Sequence, residues 1–289
     1  MKDAYAFIAA EKTYPVAVLC RALGVNRTSF YAWRRPSERA LADAWLTELI
    51  REIHEERRRV YGAPRIHAEL RMGRGVRVGR KRVERLMRSA GISGLVVARG
   101  GRGDGEGRGK VLVPGVRVAD DLVERRFAAE EPNVLWLADI TYLRSWEGWL
   151  YLAAVQDAYS RRIVGWSLAE HRRVELVTDA LAMAVRRRRP GAGLIHHSDQ
   201  GSQYVSLGFG QAAREAGIAI SMGSRGDAYD NAVAESFFAT LKKELIHRQS
   251  WPTRHELSRA VLEYIEEFYN HERRHSGLGM YSPADYEKL

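Results

Sequence analysis

The sequence predicts an α/β fold: a mixed five-stranded sheet flanked by helices, preceded by two small all-α units of helix-turn-helix type. Three observations carry this. Charge is divided unevenly: residues 1–130 hold 27 Lys and Arg against 16 Asp and Glu, whereas residues 131–289 hold 19 against 20. Half of the residues from Arg99 to Lys110 are glycine, and such a stretch cannot bury apolar surface. After Pro132 the apolar spacing changes from helical to alternating strands and helices. With 289 residues, 45% hydrophobic and 28% charged, the chain is composed like a soluble globular protein and is long enough for two or three domains.

Composition excludes several classes. Cys20 is the only cysteine, so a disulfide framework or a thiolate zinc site is ruled out, in keeping with a reducing cytoplasm. The start, Met1-Lys2-Asp3-Ala4-Tyr5, lacks a signal-peptide pattern, and no apolar run approaches the ~18 residues of a membrane span. The basic first half suits a polyanion-binding arm; a well-solvated arginine-rich surface is the alternative.

Within residues 1–40, Pro15 suits a first helical position, Gly24 ends that helix, and Asn26 caps a second running to about Arg35. Val18, Leu19, Ala22, Val25, Phe30 and Trp33 would pack the pair. Arg27, Thr28, Ser29 and Tyr31 would then face a major groove. Residues 41–95 form a second helical unit. One helix carries Leu46, Leu49, Ile50 and Ile53, another opens near Pro64, and a third runs from Arg80 to Ala90 before Gly91. Arg65, Arg80 and Lys81, with further arginines around them, make this a second DNA-binding candidate; a structural hairpin is the alternative. Residues 96–131 read as linker and extended connector.

Residues 132–250 form the sheet domain. Val134–Leu143, Trp149–Asp157 and Arg162–Leu168 are three strands in an antiparallel meander. A helix over Glu175–Arg189, a strand over Gly193–His197, a helix over Leu207–Ala216 and a strand over Ile218–Met222 follow. A long helix then spans about Asp230–Ile246, and residues 251–289 form a helical extension, with a helix over about Thr253–His271.

Three carboxylates stand out. Asp139 shares a strand face with Leu135, Leu137 and Leu143, where a bare carboxylate is costly unless a metal or fixed donor compensates it. A bond to neighbouring backbone would also explain it. Asp199 sits where a strand ends, the usual ligand end of an α/β sheet, although aspartate also commonly starts turns. On the long helix, Asn231, Glu235 and Lys242 line one edge of an apolar stripe, with small Ala232 and Ala239 beside them. Alone, Glu235 would read as a solvated helix residue. Together the three supply the hard oxygen ligands that Mg²⁺ or Mn²⁺ prefers, and two such ions suit in-line phosphoryl displacement.

The spacing and surroundings resemble a known family. Asp139 and Asp199 are separated by 59 residues, Asp199 and Glu235 by 35, and Lys242 follows seven positions later. This is similar to the Asp-Asp-35-Glu signature of retroviral integrases and insertion-sequence transposases. Trp136–Tyr142, His197–Tyr204, Asp230–Phe238, Tyr269-Asn270 through Arg274-His275-Ser276, and Tyr61-Gly62 to Ile66 resemble the second-frame (OrfB) transposases of the IS-three family, over nearly the whole chain. The resemblance implies an RNase H-like core that binds terminal inverted repeats, cleaves 3′ ends and transfers strands into target DNA. It implies Asp139, Asp199 and Glu235 as catalytic metal ligands. Lys242 would touch DNA, and Asn231 would lie near the substrate, as would His197, Gln203, Tyr204 and Ser236. Asp157 falls in a segment that shapes the hairpin. The resemblance further implies homo-oligomers on DNA and an upstream-frame (OrfA) partner or its frameshift fusion, of which this chain reads as the downstream product. A DNA-binding regulator with a vestigial core and a general RNase H-like nuclease are the competing readings. The intact triad opposes the first, and the two basic helical units oppose the second.

Overall fold

The computed structural model describes residues 2–34, 37–95, 119–123, 126–223 and 232–289, arranged in two units, Met1–Val96 and Val97–Leu289. In the first, α1 (Lys2–Ala10), α2 (Val16–Ala22) and α3 (Arg27–Arg34) close around Tyr5, Ile8, Leu19, Cys20 and Phe30. Sequence patterning does not announce α1, whose Tyr5 and Ile8 supply the apolar lid that the α2–α3 pair needs. Asn26 caps α3 as expected, its Oδ1 accepting from the Thr28 and Ser29 amides at 2.8 and 3.2 Å. Some expectations change. Val18 is half exposed and Ala22 exposed because α2 turns Leu19 and Cys20 inward instead, Trp33 is exposed although it stacks on Phe30, and Pro15 stands at the N-cap, one place before the helix.

Ser37 caps α4 (Glu38–Glu56), which buries Leu46, Ile50 and Ile53. Pro64 sits in the first turn of α5 (Ala63–Ala68), which widens into a π-helical turn over Glu69–Gly73 before α6 (Arg80–Ser89). Val83, Leu86 and Met87 of α6 are buried.

The second unit holds a five-stranded sheet in the order β3-β2-β1-β4-β5. Strands β1 (Leu135–Ser145), β2 (Gly148–Asp157) and β3 (Ile163–Ala169) form the antiparallel meander; β4 (Ile195–Ser198) and β5 (Ala219–Met222) add parallel to β1. Strand alternation sorts the faces. Trp136, Ala138, Ala153 and Val155 pack into one core with α7 (Val174–Arg188) and α8 (Leu207–Glu215). Leu176, Val177, Ala180, Leu181 and Ala184 of α7 are buried, each larger aliphatic among them contributing about 1.5–3 kcal/mol. The contact is close: a Cβ on Gly165 would overlap the Ala180 carbonyl and crowd Ala184.

On the other face, Gln156 lies opposite Leu137, and its amide donates to the Tyr269 hydroxyl at 3.0 Å. Tyr269 belongs to a π-helical segment, Tyr264–Glu272, that continues α10 (Arg254–Glu263). Asn270 clips the same segment to β3 through the Ile163 amide and carbonyl, both at 2.9 Å. Helices thus cover both faces, as the sequence predicts, and residues after 250 pack onto the sheet.

Helix α9 (Ala232–Glu244) also packs against β1; the expected helix start at Asp230 and Asn231 lies outside the described residues, as does the glycine-rich stretch. The later connector is irregular but not free. Val123 is buried with Leu135 and Leu137, the Leu122 amide donates to Ser221 at 2.9 Å, and Phe127 meets the His197 ring edge-on at 5.5 Å.

Candidate active site and nucleic-acid surfaces

Strand pairing places the two aspartates. In the parallel β1–β4 ladder Ala138 pairs with Ser198 as the last rung, and Asp139 and Asp199 are the residues that directly follow it on the two chains. Neighbouring strands lie about 4.8 Å apart. β4 stops at Ser198 while β1 runs on to Ser145, which leaves a notch in the sheet beside Asp139. The turn after β4 is held by Asp199 itself, whose Oδ1 accepts from the Gly201 amide at 2.9 Å; a Cβ on Gly201 would come within 2.8 Å of that oxygen. Asp139 Oδ1 accepts from the Ile140 amide at 2.7 Å. Both carboxylates are half-buried.

Tyr204 is fully buried against His196 and Phe209. Burial first, then the charges of Asp139 and Asp199, push its phenol well above the ordinary range, so it stays protonated. The charges of both carboxylates therefore act on one buried phenol. Their hard oxygen donors fit a divalent cation such as Mg²⁺.

Glu235 occupies the first turn of α9, which buries Phe237, Phe238 and Leu241 and exposes Glu235, Ser236 and Ala239. Among the described side chains the expected stripe is present at Phe237, Phe238 and Leu241 and its polar edge at Glu235 and Lys242; those of Val233 and Ala234 lie outside them. Among the described residues no three His, Cys, Asp or Glu side chains gather into a metal-holding group, so Glu235 is not drawn in with the two aspartates here. Asn231 lies outside the described residues.

The other expected neighbours divide clearly. His197 is buried and its Nδ1 pairs with Ser221 Oγ at 2.9 Å, tying β4 to β5. Gln203 donates to the Arg172 carbonyl at 2.8 Å. Asp157 is buried, its carboxylate accepting from the Asn133 and Tyr159 amides at 2.8 and 2.9 Å, the hairpin-shaping role expected of it. Burial raises its pKa against those bonds.

Two turns beyond Glu235, Lys242 Nζ lies 4.8 Å from the Tyr142 ring centroid. Tyr142 in turn meets Trp149 edge-on at 5.2 Å, and the Arg144 guanidinium lies 5.1 Å from the Trp149 centroid. The sequence expectations do not include this group, although its signal is there: aromatic and basic residues alternate on the polar side of two adjacent strands.

In the first unit, Arg27, Thr28, Ser29 and Tyr31 are all exposed on α3. Arg65 lies over the Tyr61 ring at 5.7 Å, Lys81 is exposed, and Arg80 pairs with Glu84 at 2.8 Å. Part of the positive charge expected to face DNA is engaged internally. Arg82 and Arg85 both grip Asp43, at 2.7 and 2.6 Å, and Arg74 binds Glu56 at 2.6 Å. The bonds from Arg85 and Arg82 hold the Asp43 carboxyl below its usual range.

Comparison with known proteins agrees with this architecture. The integrase core domain family matches residues 129–228 and again 216–283, and an HTH-like domain family matches residues 40–100. The transposase for insertion sequence element IS629 of Shigella sonnei is 39% identical over 95% of this chain and 92% of its own length. Transposase InsF for insertion sequence IS3A of Escherichia coli K12 is 36% identical over 98% of each chain. Among solved structures, a simian T-cell lymphotropic virus intasome in complex with the PP2A regulatory subunit B56 gamma aligns with a TM-score of 0.48, 16% identity and 61% of each chain covered. An integrase core of this type implies dependence on a divalent metal, and no described helix is long and apolar enough to cross a membrane. The chain belongs to the IS-three family of insertion-sequence transposases, DNA-binding polynucleotidyl transferases with an integrase core that act in DNA transposition.

Proposed function

We propose that Asp139, Asp199 and Glu235 together hold two divalent ions, Mg²⁺ or Mn²⁺, and that the chain cleaves the 3′ ends of its insertion sequence and joins them to target DNA. The observation that carries this is the placement of Asp139 and Asp199 directly after the last β1–β4 rung, Ala138 with Ser198, where the charges of both act on the buried Tyr204 phenol. When bound, such ions act as Lewis acids on the attacking and leaving oxygens of an in-line displacement. The protein's part is positional. The Ile140 and Gly201 amides orient the two aspartates, and α9 carries Glu235 on an exposed turn able to complete the set over bound DNA. Cleavage joins a water oxygen to phosphorus and frees a 3′-hydroxyl; transfer joins that 3′-oxygen to a target phosphorus and releases a target 3′-oxygen.

Lys242 and Asn231 contact DNA near the reacting end. The exposed α3 residues Arg27, Thr28, Ser29 and Tyr31 read terminal-repeat bases in the major groove, and Arg65, Arg80 and Lys81 contact phosphates. The chain works as a homo-oligomer on DNA, in the bacterial cytoplasm, with an upstream-frame protein or as its fusion. The test is Mg²⁺-dependent nicking and joining of a labelled element end. Asp139→Asn, Asp199→Asn and Glu235→Gln should each abolish both steps while DNA binding persists. Wild-type nicking by any of the three would remove that residue from the site.

A further inference from the structure

The end of the β1–β2 hairpin carries an outward face that the carboxylates do not use and that the core uses only through half-buried Tyr151. Tyr142 pairs across strands with Tyr151, and Arg144 with Trp149, so all four side chains stand on one side. Thr141, Leu143, Leu150 and Leu152 are buried on the other. The first face is covered as far as Ile140 and Tyr151, which are half-buried against the core, and it then emerges into solvent, with Tyr142 46% and Trp149 41% exposed. Each of the three rings has a cation over it: Lys242 on Tyr142 at 4.8 Å, Arg144 on Trp149 at 5.1 Å, and Arg172 on Tyr151 at 5.4 Å. The nearby acidic residues are engaged by Arg254, whose backbone amide donates to Glu147 at 2.8 Å and whose guanidinium pairs with Glu170 at 3.0 Å.

Exposed aromatic faces alternating with cations are the composition that recognises unpaired nucleotides. Bases stack on rings and guanidinium planes regardless of sequence, and the cations neutralise the backbone. Double-stranded DNA offers no free base face, so this surface suits a strand that has separated. The position fits as well. Tyr142 is three residues along β1 from Asp139, roughly 10 Å at strand rise and on the opposite face, so the two meet around the edge of β1 that β4 leaves open beyond Ser198. Lys242 and Glu235 lie on the same helix, two turns apart.

We propose that this hairpin face is a stacking platform for unpaired bases, holding a frayed DNA strand beside the scissile phosphate. The inference rests on the DNA-processing function of the chain and on neither the metal count nor the identity of the third ligand. Cross-strand aromatic pairs also stabilise hairpins, so the test must separate binding from folding.

The probe is a duplex ending in four unpaired thymidines with one 2-aminopurine among them, compared with its blunt counterpart, using the full chain. The expected result is quenching of the 2-aminopurine on binding and roughly ten-fold tighter binding of the frayed end. Trp149→Thr and Tyr142→Val, which keep strand propensity, should lose the preference while retaining blunt-duplex affinity; Trp149→Phe should keep it. Arg172→Gln, outside the strands, should reduce the preference about three-fold and serves if the aromatic variants fail to fold. Equal affinity for both ends, or a preference unchanged in folded Trp149→Thr or Arg172→Gln protein, overturns the platform. A face that docks another protein would leave the overhang unquenched. Cleavage on the same element-end substrates keeps the two readings apart. An enzyme that nicks both ends without preference refutes only the platform, whereas one that nicks neither refutes the proposed function.

Discussion

Glu244, the last residue of α9, is where the fold grips the helix that carries Glu235 and Lys242. Its carboxylate accepts from Arg273 Nε at 2.8 Å, Arg273 Nη2 at 2.7 Å and the Tyr264 hydroxyl at 2.8 Å, and both members of the ion pair are only 7% exposed. Burial opposes the charge of Arg273, yet the bonds to Glu244 outweigh it and hold the guanidinium above its ordinary pKa. Glu244→Ala would leave that cation buried and unpaired, which costs about 3–5 kcal/mol. For a unit of this size each kcal/mol moves the melting temperature about 2–4 °C, so a drop of roughly 6–20 °C is expected. The companion variant Glu244→Met with Tyr264→Phe and Arg273→Met removes the carboxylate together with these two donors, leaving His275, 3.4 Å from Arg273 Nη1, to change its contact. It should lie within about 2 kcal/mol of wild type, since an apolar replacement abolishes the desolvation cost along with the bonds. Thermal melts by circular dichroism and urea titration measure both. A Glu244→Ala loss below about 1 kcal/mol, or a triple variant less stable than the single, would refute the reasoning.

Further outcomes follow from other parts of the molecule. Gly165→Ala should destabilise the second unit by about 1–3 kcal/mol in urea titration, because the new methyl must push α7 off β3. A change under about 0.5 kcal/mol, the scatter of a surface substitution, would mean the helix yields freely. Burial first, and then the charge of His197, lower His196 to a pKa of about 4 from 6.5, so between those values the unfolded chain binds more protons than the folded one. Stability should therefore fall as pH drops through this window, by about 2 kcal/mol from pH 7 to 5, and His196→Phe should flatten that part of the curve. A wild-type urea midpoint that does not move from pH 7 to 5 would contradict it. Arg27→Ala should weaken binding to the element end. A salt slope lower by about 1 would mark a phosphate contact, and an unchanged slope with relaxed sequence preference a base contact. Unchanged affinity would take Arg27 out of the interface.

Much of the fold and of the candidate site is legible in the amino-acid sequence. Asp139 stands out because a carboxylate on a leucine-rich strand face is costly, and the Phe237–Leu241 stripe orients Glu235 through helical periodicity alone. What escapes is whatever depends on distant partners. Val123 owes its burial to Leu135 and Leu137, which no local pattern announces. Arg82 reaches Asp43 across 39 residues, so a basic helix looks freer in sequence than it is. Tyr142 and Trp149 read as ordinary strand residues until the register sets them on one face under cations from α9 and β1. The π-helical turns at Glu69–Gly73 and Tyr264–Glu272 continue helices whose sequences show no break.

The central claim is that Asp139, Asp199 and Glu235 form one metal site, and counting bound Mn²⁺ by electron paramagnetic resonance tests it most directly. With an element-end duplex present, the wild-type chain should bind two Mn²⁺, and Asp139→Asn, Asp199→Asn and Glu235→Gln should each lose at least one without losing the DNA. Two Mn²⁺ retained at wild-type affinity in all three variants would contradict it.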